Sequence, residues 1–265
     1  MTRPSTWCES CGRWKALDAC SGEGGSSKGL MDAGWCVTAI DNDPARLRRN
    51  PAQHTVLVDD AVIYIADHGH DCAFVWAGPP CQDYSAGTRA MRAHGIPTGY
   101  KRLIATLRAL MDDMGLDYVI ENVEGARSEM RDPLLLCGRM FGLAATDADG
   151  TDLVMDRHRL FETRLPLVAP AHPAHTGQQV AGVYGGSRRA KRRPNESLAD
   201  VAPRDRHEAK YVRKGGYVPR SPQVQAQLLG IDWMTQQGLY LSIPPAYAHH
   251  FGVQALQHLT HKDAA

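Results

Sequence analysis

Short apolar runs alternate with helical patterns over the first 125 residues, and this alternation constrains the fold more than any other feature of the sequence. A Gly-rich turn and a helix follow the first run, and apolar residues between Tyr100 and Met114 are spaced three and four apart, as on one face of a helix. Strands are predicted over 15–19, 36–40, 54–58, 72–76 and 118–120. The pattern predicts a doubly wound, mostly parallel α/β sheet with helices on both faces.

Polar residues stand at the points where these strands end. Asp41 closes the second strand, Asp60 follows the third, Cys81 comes shortly after the fourth, and Glu121 follows the fifth. Ligands of open parallel sheets bind at the carboxyl ends of the strands. The sequence therefore predicts a functional site at that edge of the sheet.

The segment 166–217 differs from the rest of the chain. It is rich in Pro, Gly, His and Arg and has no sustained periodicity, whereas helical patterns return near 221–229 and 247–259. We predict a main domain over 1–165, a small irregular lobe over 166–217 and a C-terminal segment over 218–265 that completes the main domain. A basic run within the lobe fits either a solvated loop or a phosphate-contacting surface. Its charged members are Arg188, Arg189, Lys191, Arg192 and Arg193.

Composition narrows the class of protein. With 43% hydrophobic residues in 265 the chain can bury a substantial core, and the net charge of +1 neither supports nor excludes a nucleic-acid partner. No run approaches the 18 to 20 apolar residues of a membrane span, and the first ten residues lack the apolar core of a secretory signal. Seven mostly isolated cysteines indicate free thiols. We therefore expect a cytoplasmic, monomeric protein that does not bind a membrane.

Cys8 and Cys11 have the spacing of half a zinc site. No second pair of ligands with recognisable spacing follows them in the sequence. A mobile N-terminal extension is the simpler interpretation, so the sequence-based expectation is that no residue binds a metal.

Two motifs carry candidate binding and nucleophilic chemistry. The glycines of the segment 18–25 allow close approach of a ligand to the backbone, and Asp41 one strand further can hydrogen-bond ribose hydroxyls. Each aspartate is equally typical of a helix N-cap or a turn. Pro79 and Pro80 make a rigid loop that presents Cys81 at a strand end, a position that suits a nucleophile better than a core residue.

Two further motifs carry charge. Glu121 leaves a buried strand, and desolvation of its carboxyl would suit a general acid, although a structural carboxylate held by an arginine is the alternative. Arg157 and Arg159 alternate along a predicted strand and would point the same way, towards an anion or a carboxylate, or form a plain charged strand face.

The combination and order of these motifs resemble the cytosine-5 DNA methyltransferase family, and more narrowly its short enzymes from actinobacteria and their phages. The resemblance covers about residues 15–165 and 218–256, including a final motif over 242–247. The lobe falls where that family has its target recognition domain. The resemblance implies the class I methyltransferase fold, S-adenosylmethionine as cofactor and double-stranded DNA as partner, with a cytosine flipped out of the helix.

The resemblance also assigns residues to roles. Cys81 would attack carbon 6 of cytosine, Glu121 would donate a proton to ring nitrogen 3, Arg159 would hold the carbonyl oxygen, and Arg157 would orient the loop or Glu121. The implied cofactor-binding residues are Asp18, Ala19, Cys20, Ser21, Gly22, Gly24, Gly25, Asp41, Asn42, Asp60, Ala61, Gly78, Pro80, Ser242 and Ile243. The implied DNA-binding residues are Gln82, Ser85 and the five cations of the basic run.

The chain departs from the family pattern in the cofactor pocket. Cys20 stands where the family commonly has Phe, and Tyr240 and Leu241 replace its usual Gly-Asn. These departures affect the details of the pocket, including which sulfonium donor it prefers. Met155 stands where the family commonly has Gln.

Three other functions compete with this interpretation. An RNA cytosine-5 methyltransferase would carry the same motifs. A catalytically silent nucleic-acid-binding homologue would keep the fold, but the presence of all four implied catalytic residues argues against it: Cys81, Glu121, Arg157 and Arg159. An amino methyltransferase is disfavoured because those enzymes place an aromatic residue where this chain has Cys81.

Overall fold

The computed structural model describes residues 5–85, 88, 94–96, 99–184, 218–219 and 221–263. The chain forms two compact units. The first comprises Met1–Leu136, His158–Ala171 and Ser242–Ala265, and the second comprises Cys137–Arg157 and His172–Leu241. The described strands are β1 (Trp7–Cys8), β2 (Arg13–Ala19), β3 (Cys36–Asp41), β4 (His54–Leu57), β5 (Phe74–Ala77), β6 (Tyr118–Asn122), β7 (Leu134–Leu136), β8 (Ala144–Thr146), β9 (Asp152–Val154), β10 (Arg159–Thr163) and β11 (Gln179–Val180). The described α-helices are α1 (Gly25–Asp32), α2 (Pro44–Leu47), α3 (Ala61–His68), α4 (Ile104–Asp113), α5 (Pro222–Leu229), α6 (Gln236–Leu241) and α7 (Pro245–Asp263).

The first unit is built on one mostly parallel sheet in the order β4-β3-β2-β5-β6-β10-β7, with β1 paired to β2. The five strands β2 to β6 run parallel to one another, whereas β10 lies antiparallel to both β6 and β7. Inward residues such as Leu17, Ile40, Val75 and Ile120 are almost completely buried. The predicted doubly wound α/β sheet is therefore confirmed, and its five predicted strands differ from the observed ones only at their ends.

Helix α7 packs on α1 through glycines. A Cβ at Gly25 would lie 2.4 Å from the carbonyl oxygen of Ile243, and one at Gly29 would lie 2.1 Å from that of Pro245. The indole of Trp35 donates to the carbonyl oxygen of Gly252 at 2.9 Å in the buried contact. The C-terminal helix thus packs beside the Gly-rich turn within the first unit. The predicted C-terminal segment over 218–265 does not belong to that unit as a whole, because its residues before Ser242 lie in the second unit.

The second unit has a small sheet of its own, in which β9 pairs antiparallel with β8 and parallel with β11. Leu153 and Met155 are buried together with Val183, Leu228 and Leu229. Residues 137–157 and 221–241 therefore share a core, and the second unit begins earlier and ends later than the predicted lobe over 166–217. The reason is that this lobe alone lacks the apolar residues to form a core, and β8, β9 and α5 supply them.

No helix within the described residues is both long and apolar enough to cross a membrane.

Candidate active site

The buried residue Asp18 anchors the Gly-rich turn between β2 and α1 by hydrogen bonds. This carboxylate is completely buried and accepts hydrogen bonds from the hydroxyls of Ser26 at 2.7 Å and Ser27 at 2.5 Å. Burial raises the pKa of Asp18 to about 7, against the lowering effect of the two hydroxyls. Its other oxygen, Oδ1, is buried without a hydrogen-bond partner among the described residues.

Asp41 and Asn50 hold the same turn from the side. Asp41 accepts from the main-chain N–H of Gly22 at 2.8 Å, and Asn50 donates to the hydroxyl of Ser21 at 3.1 Å and to the carbonyl oxygen of Gly22 at 3.3 Å. Gly22 has a left-handed φ of +56°, and the space where a Cβ would stand is open. The backbone is therefore fixed with its exposed side accessible to a ligand.

Three carboxylates converge on the thiol of Cys20. Burial, together with the smaller effect of the charges of Asp41, Asp18 and Asp60, raises the pKa of Cys20 to about 12. Cys20 itself has a left-handed φ of +58°. Asp18 of the Gly-rich motif and the strand-end residues Asp41 and Asp60 thus all act on the same thiol. The high pKa keeps the Cys20 thiol neutral.

Asp60 already has a structural role as the N-cap of α3, where its Oδ1 accepts from the N–H of Val62 at 2.9 Å. Its Oδ2 lies 3.4 Å from the ammonium of Lys101. The helix-cap interpretation of this residue therefore holds, and any contact with a ligand has to share the carboxylate with these partners.

The loop that carries Cys81 is anchored to the strands on either side of β5. The N–H of Gly78 donates to the carbonyl oxygen of Ala19 at 3.0 Å, and the amide of Asn122 donates to that of Pro79 at 3.1 Å. Asn122 is completely buried. Cys81 itself is half-buried and accessible to solvent. Both prolines and both hydrogen bonds fix the position of this thiol.

The residues after Cys81 are held by a second set of contacts. The N–H of Tyr84 donates to the carbonyl oxygen of Cys81 at 3.0 Å, and its hydroxyl donates to Glu129 at 2.7 Å. Arg102 pairs with Asp83 and with Glu129, and its guanidinium lies 5.4 Å from the centre of the Tyr84 ring. The turn that presents Cys81 is therefore rigid on both sides of the thiol.

Glu121 and Arg159 form an ion pair beside this loop. The Nε of Arg159 lies 3.1 Å from Oε1 of Glu121, and about a tenth of each side chain is exposed. A Cβ at Gly78 would lie 3.7 Å from Oε2 of Glu121. The carboxylate thus has one oxygen on the guanidinium and the other towards the loop that leads to Cys81.

Arg157 does not share the environment of Arg159, and the expectation that both point the same way along one strand was wrong. Strand β10 begins at Arg159, and Arg157 has a left-handed φ of +28°. Its guanidinium is buried in the second unit and donates to the carbonyl oxygens of Val183 at 2.7 Å and Tyr240 at 2.9 Å. A third carbonyl oxygen, that of Leu239, lies at 3.4 Å. These contacts give Arg157 a structural role in joining three segments of that unit.

The other predicted site residues fall into three groups. Ala19, Ser21, Gly24, Gly25, Ser242 and Ile243 belong to the turn and to the segment that packs on it, whereas Asn42, Ala61 and Pro80 follow the ends of neighbouring strands. Gln82 has a buried Oε1 without a hydrogen-bond partner among the described residues, and Ser85 donates to the main-chain oxygen of Gln82 at 3.0 Å. Arg188, Arg189, Lys191, Arg192 and Arg193 lie outside the described residues.

Comparison with solved structures identifies the fold. The chain is similar over 92% of its length to an Escherichia coli prophage protein assigned as a DNA modification methyltransferase. That match covers 99% of the other chain with a TM-score of 0.53 and 17% sequence identity. It shows the fold predicted from the sequence, that of the class I methyltransferases.

A second solved structure, a SAM-dependent methyltransferase from Agrobacterium tumefaciens, matches over 56% of this chain and 54% of its own. Its sequence identity is 18% and its TM-score of 0.32 is too low to support an inference. No protein-family model and no curated protein matches the sequence.

Sequence reasoning missed three residues that shape the site. Asn50 clamps the Gly-rich turn, Asn122 anchors Pro79, and Arg102 holds the turn after Cys81. Asn122 had a signal, because it directly follows Glu121 at a strand end. Asn50 lies in a loop without periodicity, whereas Arg102 lies within the helical pattern predicted between Tyr100 and Met114 but precedes the observed helix, which begins at Ile104. Only the folded structure shows the partners of either residue.

Proposed function

We propose that this protein transfers a methyl group from S-adenosylmethionine to carbon 5 of a flipped-out cytosine in DNA. The observation that carries the proposal is the Glu121–Arg159 pair beside the loop of Cys81. An anchored thiol, a carboxyl group and a guanidinium at adjoining strand ends are the three groups that this reaction requires. The fold shared with the prophage protein is consistent with it.

The Gly-rich turn fits S-adenosylmethionine. Its open side at Gly22 allows close approach of a ligand to the backbone. The carboxylates of Asp41 and Asp60, and the buried oxygen of Asp18 that has no hydrogen-bond partner among the described residues, offer the acceptors that an aminoacyl nucleoside needs. Ser242 and Ile243 close the turn from the side of α7. When bound there, the cofactor supplies an electrophilic methyl group.

Cytosine carbon 5 is too weak a nucleophile to accept that methyl group unaided. In the proposed mechanism the Cys81 thiolate forms a bond to carbon 6, and the ring's electron pair moves towards carbon 5. Only a few per cent of an ordinary thiol is ionised at neutral pH, so a fixed position in contact with the ring has to offset the low concentration of thiolate.

Glu121 and Arg159 stabilise the ring as it gains electrons. Glu121 donates a proton to ring nitrogen 3 from the side of its carboxyl that lies towards Gly78, and Arg159 donates to the carbonyl oxygen at carbon 2. After methylation a base removes the proton from carbon 5, and the bond between Cys81 and carbon 6 breaks to restore the aromatic ring and the thiolate. The proton on nitrogen 3 returns to the Glu121 carboxylate, so the acid is ready for the next turnover.

The substrate has to leave the DNA stack to reach Cys81, at a cost of a few kcal/mol. Phosphate contacts from the basic run Arg188–Arg193 would offset part of that cost. In this proposal Gln82 and Ser85, close to Cys81 in the chain, contact the DNA around the target base.

The experiment is a methyl-transfer assay with tritium-labelled S-adenosylmethionine, purified protein, and DNA or RNA as acceptor. Bisulfite sequencing of DNA from a host that lacks cytosine-5 methylation then locates the product. The proposal predicts 5-methylcytosine in DNA that is absent with Cys81→Ser and retained with Cys72→Ser. Label confined to RNA would reject the DNA substrate, and no transfer to either acceptor would reject the activity.

A further inference from the structure

A cluster of three cysteines and one histidine lies at the opposite edge of the sheet from Cys81. It is formed by Cys8, Cys11, Cys36 and His54, and we refer to it as the Cys3His cluster. Cys36 and His54 are the first residues of β3 and β4. Because these strands are parallel neighbours, their amino ends meet at the edge away from the candidate active site.

The first two cysteines lie in a tight hairpin turn. Cys8 pairs with Arg13 across the β1–β2 ladder, and the N–H of Gly12 donates to the carbonyl oxygen of Cys8 at 2.9 Å. Gly12 has a left-handed φ of +66°, a conformation that a glycine adopts without strain. The sequence Cys-x-x-Cys-Gly therefore forms a compact turn that brings two thiols to one side.

The strand register adds the other two side chains. Lys15 of β2 pairs with Cys36, and Thr38 of β3 pairs with His54, so each strand begins beside the third residue of the strand before it. The ligand atoms of Cys8, Cys36 and His54 all lie within 4.8 Å of one another. The thiol of Cys11 is in hydrogen-bonding contact with the thiols of Cys8 and Cys36.

We propose that the Cys3His cluster binds one Zn²⁺ ion in tetrahedral coordination. Zn–S bonds of about 2.3 Å and Zn–N bonds of about 2.0 Å place neighbouring ligand atoms roughly 3.5 to 3.8 Å apart, which small side-chain adjustments within the cluster satisfy. Four protein ligands close the coordination shell, as in structural rather than catalytic zinc sites. Zinc binding at this site needs no other ligand and does not depend on the proposed methyl-transfer chemistry.

The surroundings of Cys8 suit a thiolate ligand. The main-chain N–H of Cys11 donates to its sulfur, and the hydroxyl of Ser10 lies 3.1 Å from it. Donors of this kind stabilise the negative charge of metal-bound thiolates. Cys8 and Cys36 are buried whereas Cys11 and His54 are exposed, and the cluster borders a surface cleft through which an ion can enter.

A zinc ion here would tie the β1–β2 hairpin to two further strands of the sheet, β3 and β4. Binding to the folded chain alone stabilises it by mass action, and thiol ligands release protons when the ion binds. Chelation should therefore lower the melting temperature. Because the cluster lies at the opposite sheet edge, the ion should leave the geometry of Cys81 and Glu121 unchanged.

The test measures zinc in full-length protein purified without chelators and with a thiol reductant. Because Cys137, His172 and His175 of the second unit also place three ligand atoms within 4.8 Å, all variants are made in a His172→Ala/His175→Ala background. Elemental analysis should find one zinc per chain in that background. Cys11→Ser alters an exposed residue and is expected to fold, yet it should lower zinc affinity at least tenfold in competition with a chromogenic chelator.

Three further variants sharpen the test. Cys36→Ser should lose zinc, His54→Cys should retain it because thiolate replaces imidazole, and the control Cys72→Ser, which lines the same cleft outside the cluster, should match the parent. Cobalt in place of zinc should give thiolate-to-metal charge-transfer bands in the parent and weaker ones in Cys11→Ser. Zinc content at background, zinc unchanged in both Cys11→Ser and Cys36→Ser, or a Cys8–Cys11 or Cys8–Cys36 disulfide by mass spectrometry would each overturn the proposal.

Discussion

The Nε of Arg159 lies 3.1 Å from Oε1 of Glu121, across the boundary between the last parallel strand and the antiparallel strand beside it. Glu121 is near the end of β6, and β10 begins at Arg159. The antiparallel direction of β10 is what brings its first residue to the carboxyl end of β6. Glu121 and Arg159 therefore form an ion pair because β10 runs antiparallel to its neighbour β6.

Glu121→Gln tests the acid. Glutamine keeps the size of the side chain and an oxygen for Arg159, but it cannot donate a proton to nitrogen 3. We expect turnover to fall about 100-fold or more with cofactor affinity nearly unchanged. Single-turnover methylation and calorimetry with S-adenosylmethionine provide the two measurements. Glu124→Gln, an exposed acid three residues away, is the control, and equal turnover in both variants would remove Glu121 from the mechanism.

Asp41→Ala and Asn50→Ala test the Gly-rich turn as the cofactor site. Each removes a contact that holds the main chain at Gly22, and Asp41 also offers an acceptor to the ligand. We expect cofactor affinity to fall by about 1 to 3 kcal/mol for Asp41→Ala and by less for Asn50→Ala. Calorimetry measures both against Asp67→Ala, an exposed acid on α3. Unchanged cofactor affinity in Asp41→Ala would show that the cofactor binds elsewhere in the protein.

Arg157→Met separates a structural role from a catalytic one. The substitution removes the donor that binds two buried carbonyl oxygens and one partly buried one, so we expect the free energy of unfolding to fall by about 3 kcal/mol. Urea unfolding measures it, with Arg46→Met, at a partly exposed arginine, as control. Full stability combined with a large loss of turnover would instead show that Arg157 acts on the substrate.

Asp18 makes stability depend on pH. Its pKa is raised from 3.8 to about 7 by burial, so the folded state holds the proton more tightly than the unfolded state. The stability of the wild type relative to Asp18→Asn should therefore decrease as the pH rises from about 4 to about 7, and remain level above that. At 1.36 kcal/mol per pKa unit the total change is at most about 4 kcal/mol. Urea unfolding of both proteins at several pH values measures the difference, and a constant or rising difference would refute the assignment.

Residues at strand ends were predictable because parallel strands bring their carboxyl ends to one edge whatever the loops do. This is why Asp41, Asp60, Cys81 and Glu121 could be grouped from the sequence. The spacing of residues along the sequence does not show where a strand begins. The alternation of Arg157 and Arg159 therefore predicted one strand for both, whereas only Arg159 belongs to it.

Contacts between distant segments were not predictable. Cys36 and His54 carry no metal-site spacing relative to Cys8 and Cys11, and they meet the pair only because β3 and β4 are successive neighbours of β2. The boundaries of the second unit could not be predicted from the sequence for the same reason. Its core joins β8 and β9 to α5, which lies about 70 residues further along the chain.

The central claim is that Cys81 bonds covalently to cytosine, and one measurement tests it most directly. DNA carrying 5-fluorocytosine at the methylated position cannot release the enzyme, because fluorine replaces the proton that a base must remove. Incubation with S-adenosylmethionine should give a protein–DNA adduct that survives denaturation and depends on the cofactor. The adduct should form with the wild type and with Cys72→Ser and be absent with Cys81→Ser. An adduct of undiminished yield in Cys81→Ser, or none in the methylating wild type, would contradict the account.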